Sequence, residues 1–256
     1  MDLFLNPDIA LSYKSESQKS RIITERWFEE NLYCPACPSE QLGRTPPNEK
    51  VVDFICPKCD ERFQMKAQGY PFGNKVMDSA YEPKIQSIQT GTVPNFVFMH
   101  YDKHTMRVED LMVIPKHFLT PKIIEKRPPL KSTAQRAGWV GSNILLWMLP
   151  LDARLSIVQE YKVVPQEVVR GSWKKFVFMQ DMRTSSRGWL NDVLSALRKI
   201  GKREFSLAEI YAFERELAKL HPDNRHVKDK IRQQLQLLRD KGILDFLGEG
   251  EYSLRS

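Results

Sequence analysis

Two cysteine pairs, Cys34-Pro-Ala-Cys37 and Cys56-Pro-Lys-Cys59, enclose the part of the chain that decides its fold. Eighteen residues separate the pairs, and the two-residue spacing within each pair lets both thiolates bind one metal ion from a tight turn. A site with four thiolates has no open coordination position, so its zinc ion would stabilise the fold rather than catalyse a reaction. We therefore predict a structural Zn²⁺ site. The alternative is two unrelated pairs of buried or redox-active cysteines.

The second cysteine pair lies between two runs with strand-like composition, residues 51–55 and 62–67. A metal ion bound there would close the turn of a β-hairpin and fix its register. Within the first run, the carboxylate of Asp53 stands among apolar neighbours, which is costly unless a partner compensates its charge. In the second run, Gln64 and Lys66 are two residues apart and so lie on one face of the strand. We expect these three side chains to converge.

This arrangement resembles the PD-(D/E)XK nuclease superfamily, whose site is an acidic residue on one strand followed by a hairpin to an acid-x-Lys strand. The match is Asp53, ten intervening residues, then Gln64 and Lys66. The resemblance implies that Asp53 and the side-chain oxygen of Gln64 bind Mg²⁺ and that Lys66 orients or activates the attacking water. Mg²⁺ accepts such oxygen ligands and stabilises charge on a phosphodiester during its hydrolysis.

This sequence departs from the motif at two positions. Val52 stands where the motif has proline, and Gln64 replaces the usual carboxylate, which should weaken metal binding. A further carboxylate is available from Glu61 or from Glu29 and Glu30 on the preceding helix. The alternative interpretation is an ordinary hairpin with solvated polar side chains.

Composition sets the broad class of the protein. The 256 residues carry a formal net charge of +7, which favours a polyanionic partner such as nucleic acid, and 41% are apolar, as in ordinary globular proteins. No run approaches the roughly 20 apolar residues that span a bilayer, and the first 20 residues lack the pattern of a secretion signal. We expect a cytoplasmic protein without a membrane partner.

The first part of the chain mixes helical and strand patterns. Apolar residues recur at helical spacing over residues 19–32, and runs rich in strand-forming residues follow at 95–102 and 110–119. The segment 183–188 is small, polar and basic, and the pattern after it is plainly helical. We therefore predict an α/β domain over residues 1–182 and a separate α+β module over residues 183–256.

The C-terminal module has the order of elements of a winged helix. A first helix over residues 188–200 ends at Gly201, a second begins at Ser206 with Glu209 completing a capping box, and a third covers residues 224–241. Residues 243–254 then form a β-hairpin. Residues 183–256 hold 15 basic and 11 acidic side chains, a net charge of +4. A winged helix places its third helix in the major groove of DNA.

Base contacts are expected near the start of the third helix. Arginine and glutamine there can bind guanine and adenine edges with two hydrogen bonds each. The residues that we predict to contact DNA are Arg225, His226, Asp229, Arg232 and Gln233. The alternatives are a module that binds another protein, or a charged helix face that is simply solvated.

Taken over the whole chain, the order of zinc-binding pairs, catalytic hairpin and winged helix is similar to that of the DpnI-type methyl-directed restriction endonucleases. The resemblance implies a mixed-sheet PD-(D/E)XK core with an integrated zinc subdomain, followed by the winged helix. It also implies a type II restriction enzyme that cleaves both strands of duplex DNA at GATC sites containing N6-methyladenine, with Mg²⁺ as the catalytic ion and Zn²⁺ as a structural one. We expect a monomer in solution.

A methyl group on adenine N6 projects into the major groove, so its reader needs an apolar surface beside polar contacts. Trp139 is the candidate, because Gly138 and Gly141 beside it would let the loop approach DNA closely. Arg136 and Ser142 would add contacts to guanine, phosphate or a base edge. The alternative is a tryptophan that packs in the core at a turn.

Two other functions fit the same features. In a non-catalytic regulator, the zinc site and the winged helix would bind DNA, and Asp53, Gln64 and Lys66 would be incidental. A nuclease directed at RNA is the third possibility. Cleavage assays on methylated DNA, unmethylated DNA and RNA distinguish the three.

Overall fold

The computed structural model describes residues 1–46 and 52–255. In it, a seven-stranded mixed sheet has the order β1-β2-β3-β5-β6-β9-β10, and a second sheet of three strands has the order β4-β8-β7. The strands of these two sheets are β1 Gly43–Arg44, β2 Phe54–Ile55, β3 Arg62–Gln68, β4 Lys75–Ala80, β5 Asn95–Asp102, β6 Arg107–Ile114, β7 Ile124–Lys126, β8 Gly141–Leu145, β9 Leu155–Gln159 and β10 Lys162–Val163. The helices of this part are α1 Glu16–Asn31, α2 Tyr81–Gln89 and α3 Gln166–Phe176.

The central strand β5 separates two hydrophobic clusters. Alternate residues point to opposite faces of a strand, so Val97 and Met99 join the cluster formed with α1, whereas Phe96 and Phe98 join the cluster formed with α2. The parallel pairing of β3 with β5 requires a crossover, and β4 and α2 lie within it. This crossover brings β4 and α2 to the face of β3 that carries Gln64.

The zinc-ligand pairs occupy the predicted positions. The first pair follows the end of α1, and the second forms the turn between β2 and β3. Residue 51 of the predicted first strand lies outside the described residues. Asp53 precedes β2 by one residue and remains attached to the hairpin, because its N–H donates to the carbonyl oxygen of Phe63 at 2.9 Å.

The structure confirms the mixed α/β class and corrects the bounds of one long strand. β5 has the predicted bounds, but β6 covers Arg107–Ile114 rather than residues 110–119. Pro115 cannot donate to a ladder, and a 3-10 turn over Lys116–Phe118 follows it. No helix of the described chain is long and apolar enough to cross a membrane.

The C-terminal part consists of four helices and a small sheet. Its elements are α4 Thr184–Ile200, β11 Glu204–Ser206, α5 Leu207–Tyr211, α6 Glu214–Leu220, α7 Val227–Asp240, β12 Leu244–Gly248 and β13 Glu251–Leu254. The capping box of Ser206 and Glu209 is present as predicted. The predicted second helix is divided into α5 and α6. Phe205, which precedes the capping box, lies on β11, which pairs with β13.

The segment 183–188, predicted to hold the domain boundary, forms the start of α4, which begins at Thr184 rather than at residue 188. Leu190 and Val193 of α4 belong to the same buried cluster as Phe96 of the central sheet. Asn191 also donates from Nδ2 to the carbonyl oxygen of Phe118 at 2.8 Å. α4 therefore packs against the α/β part, and a division of the chain between residues 182 and 183 stays a prediction.

Candidate active site

The four cysteine thiols form one compact cluster. The Sγ atoms of Cys34 and Cys59 are 3.7 Å apart, those of Cys37 and Cys56 are 3.5 Å apart, and all four lie within 4.8 Å of one another. With Zn–S bonds of about 2.3 Å, a tetrahedral site separates its sulfurs by about 3.8 Å. The cluster therefore has the dimensions and the ligand chemistry of a structural zinc site.

The surroundings of Cys56 favour its thiolate form. Burial alone would raise the pKa of its thiol, but the backbone N–H groups of Lys58 and Cys59, together with the neighbouring thiols of Cys37 and Cys59, lower the pKa to about 7. The N–H of Lys58 lies 3.4 Å from the sulfur. Because thiolates are the form that binds zinc, this turn favours the ligand state of Cys56.

Asp53 is held against the second strand of the hairpin. Its Oδ2 accepts the N–H of Met65 at 2.7 Å. Met65 lies between Gln64 and Lys66, whose side chains share the other face of β3. The convergence of Asp53 with these two side chains stays a prediction.

The electrostatic environment of Asp53 leaves its carboxylate short of positive charge. Burial raises the pKa of this carboxyl, and the nearby charge of Glu25 raises it further. The N–H of Met65 and the charges of Lys66 and Arg21 act in the opposite direction but do not offset the rise. A divalent cation beside Asp53 would supply the missing positive charge.

Lys66 forms an ion pair with an aspartate that was not among the predicted site residues. Its Nζ lies 2.7 Å from Oδ1 of Asp78 on β4, and the side chain of Asp78 is fully buried. Lys84 on α2 pairs with the other oxygen of Asp78 at 2.9 Å. Burial would raise the pKa of Asp78, but Lys84 and Lys66 outweigh it and the pKa is lowered. Asp78 is therefore an anion between two ammonium groups.

Lys84 also determines the surroundings of Gln64. Its Nζ donates to Oε1 of Gln64 at 3.3 Å and lies 4.6 Å from the ring centroid of Phe96. Burial lowers the pKa of Lys84, and Asp78 opposes that change. A neutral amide oxygen thus faces a buried ammonium group. A carboxylate at position 64 would instead form an ion pair with Lys84.

A buried glutamate lies on the other side of Asp53. Glu25 of α1 pairs with Arg21 at 2.5 Å and with Arg44, and together with Asp53 these residues line a cavity of about 110 Å³. The side chain of Glu25 is 8% exposed. In the sequence, the four-residue spacing of Arg21 and Glu25 on a predicted helix is the signal that could have indicated this ion pair.

The carboxylates expected to supplement Asp53 have other partners. Glu29 and Glu30 both pair with Arg26 on an exposed part of α1. Glu61 pairs with Lys116 at 3.0 Å and accepts a hydrogen bond from Asn95 at 2.8 Å. Glu25 is instead the glutamate that lines the Asp53 cavity.

Comparison with known families accounts for nearly the whole chain. Residues 1–182 match the family model DpnI, described as the Dam-replacing family, and residues 185–254 match that of the Dam-replacing HTH domain. The chain belongs to the Dam-replacing family. As a member of this family it is a DpnI-type, methyl-directed restriction endonuclease with a C-terminal DNA-binding domain.

In the Dam-replacing HTH domain, α7 is the third helix of the predicted winged helix. Its inner side is buried through Ile231, Leu235 and Leu238. The side chains predicted to contact DNA are all exposed: Arg225, His226, Asp229, Arg232 and Gln233. Arg225 and His226 precede the first residue of α7 rather than lying within it. These five residues therefore border one accessible end of the helix.

The predicted methyl-reading loop of this Dam-replacing protein is only partly accessible. Arg136 is exposed and Trp139 is half-buried. Trp139 packs against Gly141 so closely that a Cβ there would lie 2.7 Å from its ring. The structure corrects the prediction that Ser142 contacts DNA. This residue is fully buried, and its hydroxyl donates to the carbonyl oxygen of Ser79 at 2.8 Å. Ser142 therefore contributes to packing and is not kept as a DNA contact.

Proposed function

We propose that this Dam-replacing enzyme is a type II restriction endonuclease that hydrolyses both strands of duplex DNA at GATC sites containing N6-methyladenine. The family supports a methyl-directed restriction enzyme. The observation that carries the catalytic part of the proposal is the desolvated carboxylate of Asp53, which accepts the N–H of Met65, the residue between Gln64 and Lys66.

Asp53 and Oε1 of Gln64 would hold Mg²⁺. When bound, the ion supplies Lewis acidity toward the phosphate and lowers the pKa of bound water. The N–H of Met65 fixes the orientation of the Asp53 carboxylate. Lys84 fixes the orientation of the Gln64 oxygen. Both oxygen ligands are thus positioned by groups that do not themselves contact the metal.

Lys66 would orient the attacking water and offset the charge of the phosphate. Its ammonium is held by Asp78, and its side chain is 22% exposed. The ion pair with Asp78 fixes the position of the Lys66 ammonium group, which suits a hydrogen-bond donor to water or phosphate. Lys66 would therefore act mainly through its positive charge.

Recognition of DNA would be divided between two surfaces. The exposed end of α7 would read base edges in the major groove, with Arg232 and Gln233 as the strongest candidates. The half-buried ring of Trp139, with Arg136 beside it, would offer an apolar surface to the methyl group. We propose duplex methylated DNA as the partner of a monomeric enzyme, with the cysteine-bound Zn²⁺ holding the catalytic hairpin.

The test uses plasmid DNA from methylating and non-methylating hosts, with Mg²⁺ or with a chelator. We expect double-strand cleavage of methylated plasmid with Mg²⁺ alone. Asp53→Asn should bind the same DNA but reduce cleavage at least about a thousandfold, because several kcal/mol of charge stabilisation depends on the ion. Retention of methylated DNA without strand breaks would favour the non-catalytic regulator. Preferential cleavage of RNA would favour an RNA-directed nuclease.

A further inference from the structure

A second group of metal-binding side chains lies at the end of the pair β5 and β6. The Nδ1 atom of His100 is 3.6 Å from Oε2 of Glu109 and 3.6 Å from Oδ2 of Asp110. One ligand atom from each of the three residues lies within 4.8 Å of the others. Nδ1 of His100 has no hydrogen-bond partner, although the residue is only 6% exposed.

These separations fit metal ligands better than hydrogen bonds. A nitrogen–oxygen hydrogen bond is about 2.7–3.2 Å long, so both carboxylate oxygens are too distant from His100. Around a tetrahedral ion with bonds of about 2.0–2.1 Å, ligand atoms are about 3.3 Å apart. A small contraction would bring both carboxylate oxygens to that spacing from Nδ1 of His100. It would also satisfy a buried nitrogen whose lack of a partner is costly.

A β-bulge creates this arrangement from the sequence. Successive residues of a regular strand point to opposite faces, so Glu109 and Asp110 would normally diverge. His100 pairs with Asp110 but Tyr101 pairs with Val108, which leaves Glu109 as the extra residue of a bulge. The bulge turns two consecutive carboxylates toward one imidazole. Bulges frequently re-aim side chains in this way.

Two residues of the turn between β9 and β10 donate hydrogen bonds to the carboxylates of Glu109 and Asp110. The hydroxyl of Tyr161 donates to Oε2 of Glu109 at 2.9 Å, and the N–H of Glu160 donates to Oδ1 of Asp110 at 3.1 Å. Both turn residues have positive φ, 48° at Glu160 and 61° at Tyr161, a backbone conformation that is costly for residues other than glycine. Outer contacts of this kind orient the ligands of metal sites.

We propose that His100, Glu109 and Asp110 form a second metal site that binds a divalent transition-metal ion such as Zn²⁺ or Mn²⁺. One imidazole and two carboxylates suit these ions better than Mg²⁺, which prefers oxygen ligands throughout. The side chain of Asp110 is 48% exposed, so water can complete the coordination. The bound ion ties the strained turn to the central sheet.

The site is distinct from the cysteine cluster and from the Asp53 site. His100 lies beside Gln68 in the β3–β5 register, two residues beyond the pair of Lys66 with Phe98. It shares the sheet face of Gln64 and Lys66 but uses none of their partners. Changes at His100 should therefore leave the cysteine site and the catalytic hairpin intact.

The test measures zinc bound per chain in the full-length protein after its cysteine site is loaded and excess metal is removed. Equilibrium dialysis at micromolar free Zn²⁺ should add a second equivalent to the wild type and to Asp53→Ala. His100→Ala and Asp110→Asn should lack it. His104→Ala is the matched control, because His104 is an exposed histidine of the same hairpin, and it should keep the second equivalent.

Equal zinc content in wild type, His100→Ala and Asp110→Asn would overturn the proposal. Asp110→Asn preserves side-chain shape at a partly exposed position, so it decides the question if His100→Ala does not fold. Tyr161→Phe should weaken binding about 10–100-fold, as loss of an outer contact does. Added Zn²⁺ should raise the melting temperature of the wild type but not of Asp110→Asn. An equal rise in both would also contradict the site.

Discussion

The ammonium group of Lys66 lies 2.7 Å from a carboxylate oxygen of Asp78, a side chain with no exposed surface. Lys66 is the lysine of the nuclease motif, whereas Asp78 comes from the crossover that follows the hairpin. The ammonium group of the candidate catalytic lysine is therefore held by a residue outside the motif.

Asp78→Asn should lower both stability and activity. The change leaves the ammonium groups of Lys66 and Lys84 close together without a shared anion. Removing one partner of a buried ion pair costs about 3 kcal/mol. Urea unfolding measures the stability, and plasmid cleavage measures the activity.

Asp181→Asn is the control for that variant, because Asp181 is exposed at the end of a 3-10 helix and should tolerate the change. Adding Lys84→Met to Asp78→Asn removes one of the two unpaired charges and should restore part of the stability. If Asp78→Asn unfolds at the wild-type urea concentration, the ion pairs contribute nothing and this account of Lys66 is wrong.

Gln64→Glu should improve Mg²⁺ binding much more when Lys84 is also replaced. In the single variant the new carboxylate pairs with Lys84, 3.3 Å from the present amide oxygen. In Gln64→Glu with Lys84→Met, that carboxylate is free to bind the ion. The Mg²⁺ concentration for half-maximal cleavage should fall by about tenfold relative to the single variant, equivalent to about 1.4 kcal/mol.

Gln68→Glu is the matched control, since Gln68 lies further along the same face of β3. It should leave the Mg²⁺ requirement unchanged. An equal Mg²⁺ requirement for Gln64→Glu with and without Lys84→Met would show that Lys84 does not compete for position 64.

His117 should make the protein less stable as pH falls. Burial, with the charges of Arg187 and Lys116, lowers its pKa from 6.5 to about 3. The folded protein therefore keeps His117 neutral where the unfolded chain takes up a proton. Stability from this group is complete above pH 6.5 and is lost as pH falls toward 3. Between pH 7 and pH 5 the loss should be about 2 kcal/mol.

Urea unfolding at several pH values checks this expectation for wild type and His117→Gln. The variant should lose less stability between pH 7 and pH 5, because it has no imidazole to protonate in the unfolded chain. His104→Gln, at an exposed position, should follow the wild type. Parallel curves for wild type and His117→Gln would contradict the lowered pKa.

Loss of a metal ion from the cysteine cluster should release the hairpin of β2 and β3 first. Cys56→Ser removes a ligand from the turn between β2 and β3, so the register of that pair is no longer held by the ion. Hydrogen exchange should accelerate over residues 54–68 and change little in α7. Re-addition of Zn²⁺ should restore protection to chelator-treated wild type but not to Cys56→Ser. Unchanged exchange in the hairpin would show that the fold does not need the metal.

Local sequence signals were sufficient for several parts of this protein. The two-residue spacing of the cysteine pairs predicted their clustering, because each turn contains both of its ligands. The capping box at Ser206 and the bounds of β5 were likewise evident from adjacent residues. Strand periodicity alone also predicted that Gln64 and Lys66 share one face of β3, where Lys84 and Asp78 contact them.

The tertiary structure decided which residues contact Gln64 and Lys66. Asp78 and Lys84 reach Lys66 and Gln64 because the parallel pairing of β3 with β5 carries β4 and α2 across the same face. Their spacing along the chain contains no sign of this contact. Ser142 became a packing residue for the same reason, since burial depends on the strand that lies opposite. Periodicity reports the face on which a residue lies, whereas its partner and its charge state depend on elements distant in the sequence.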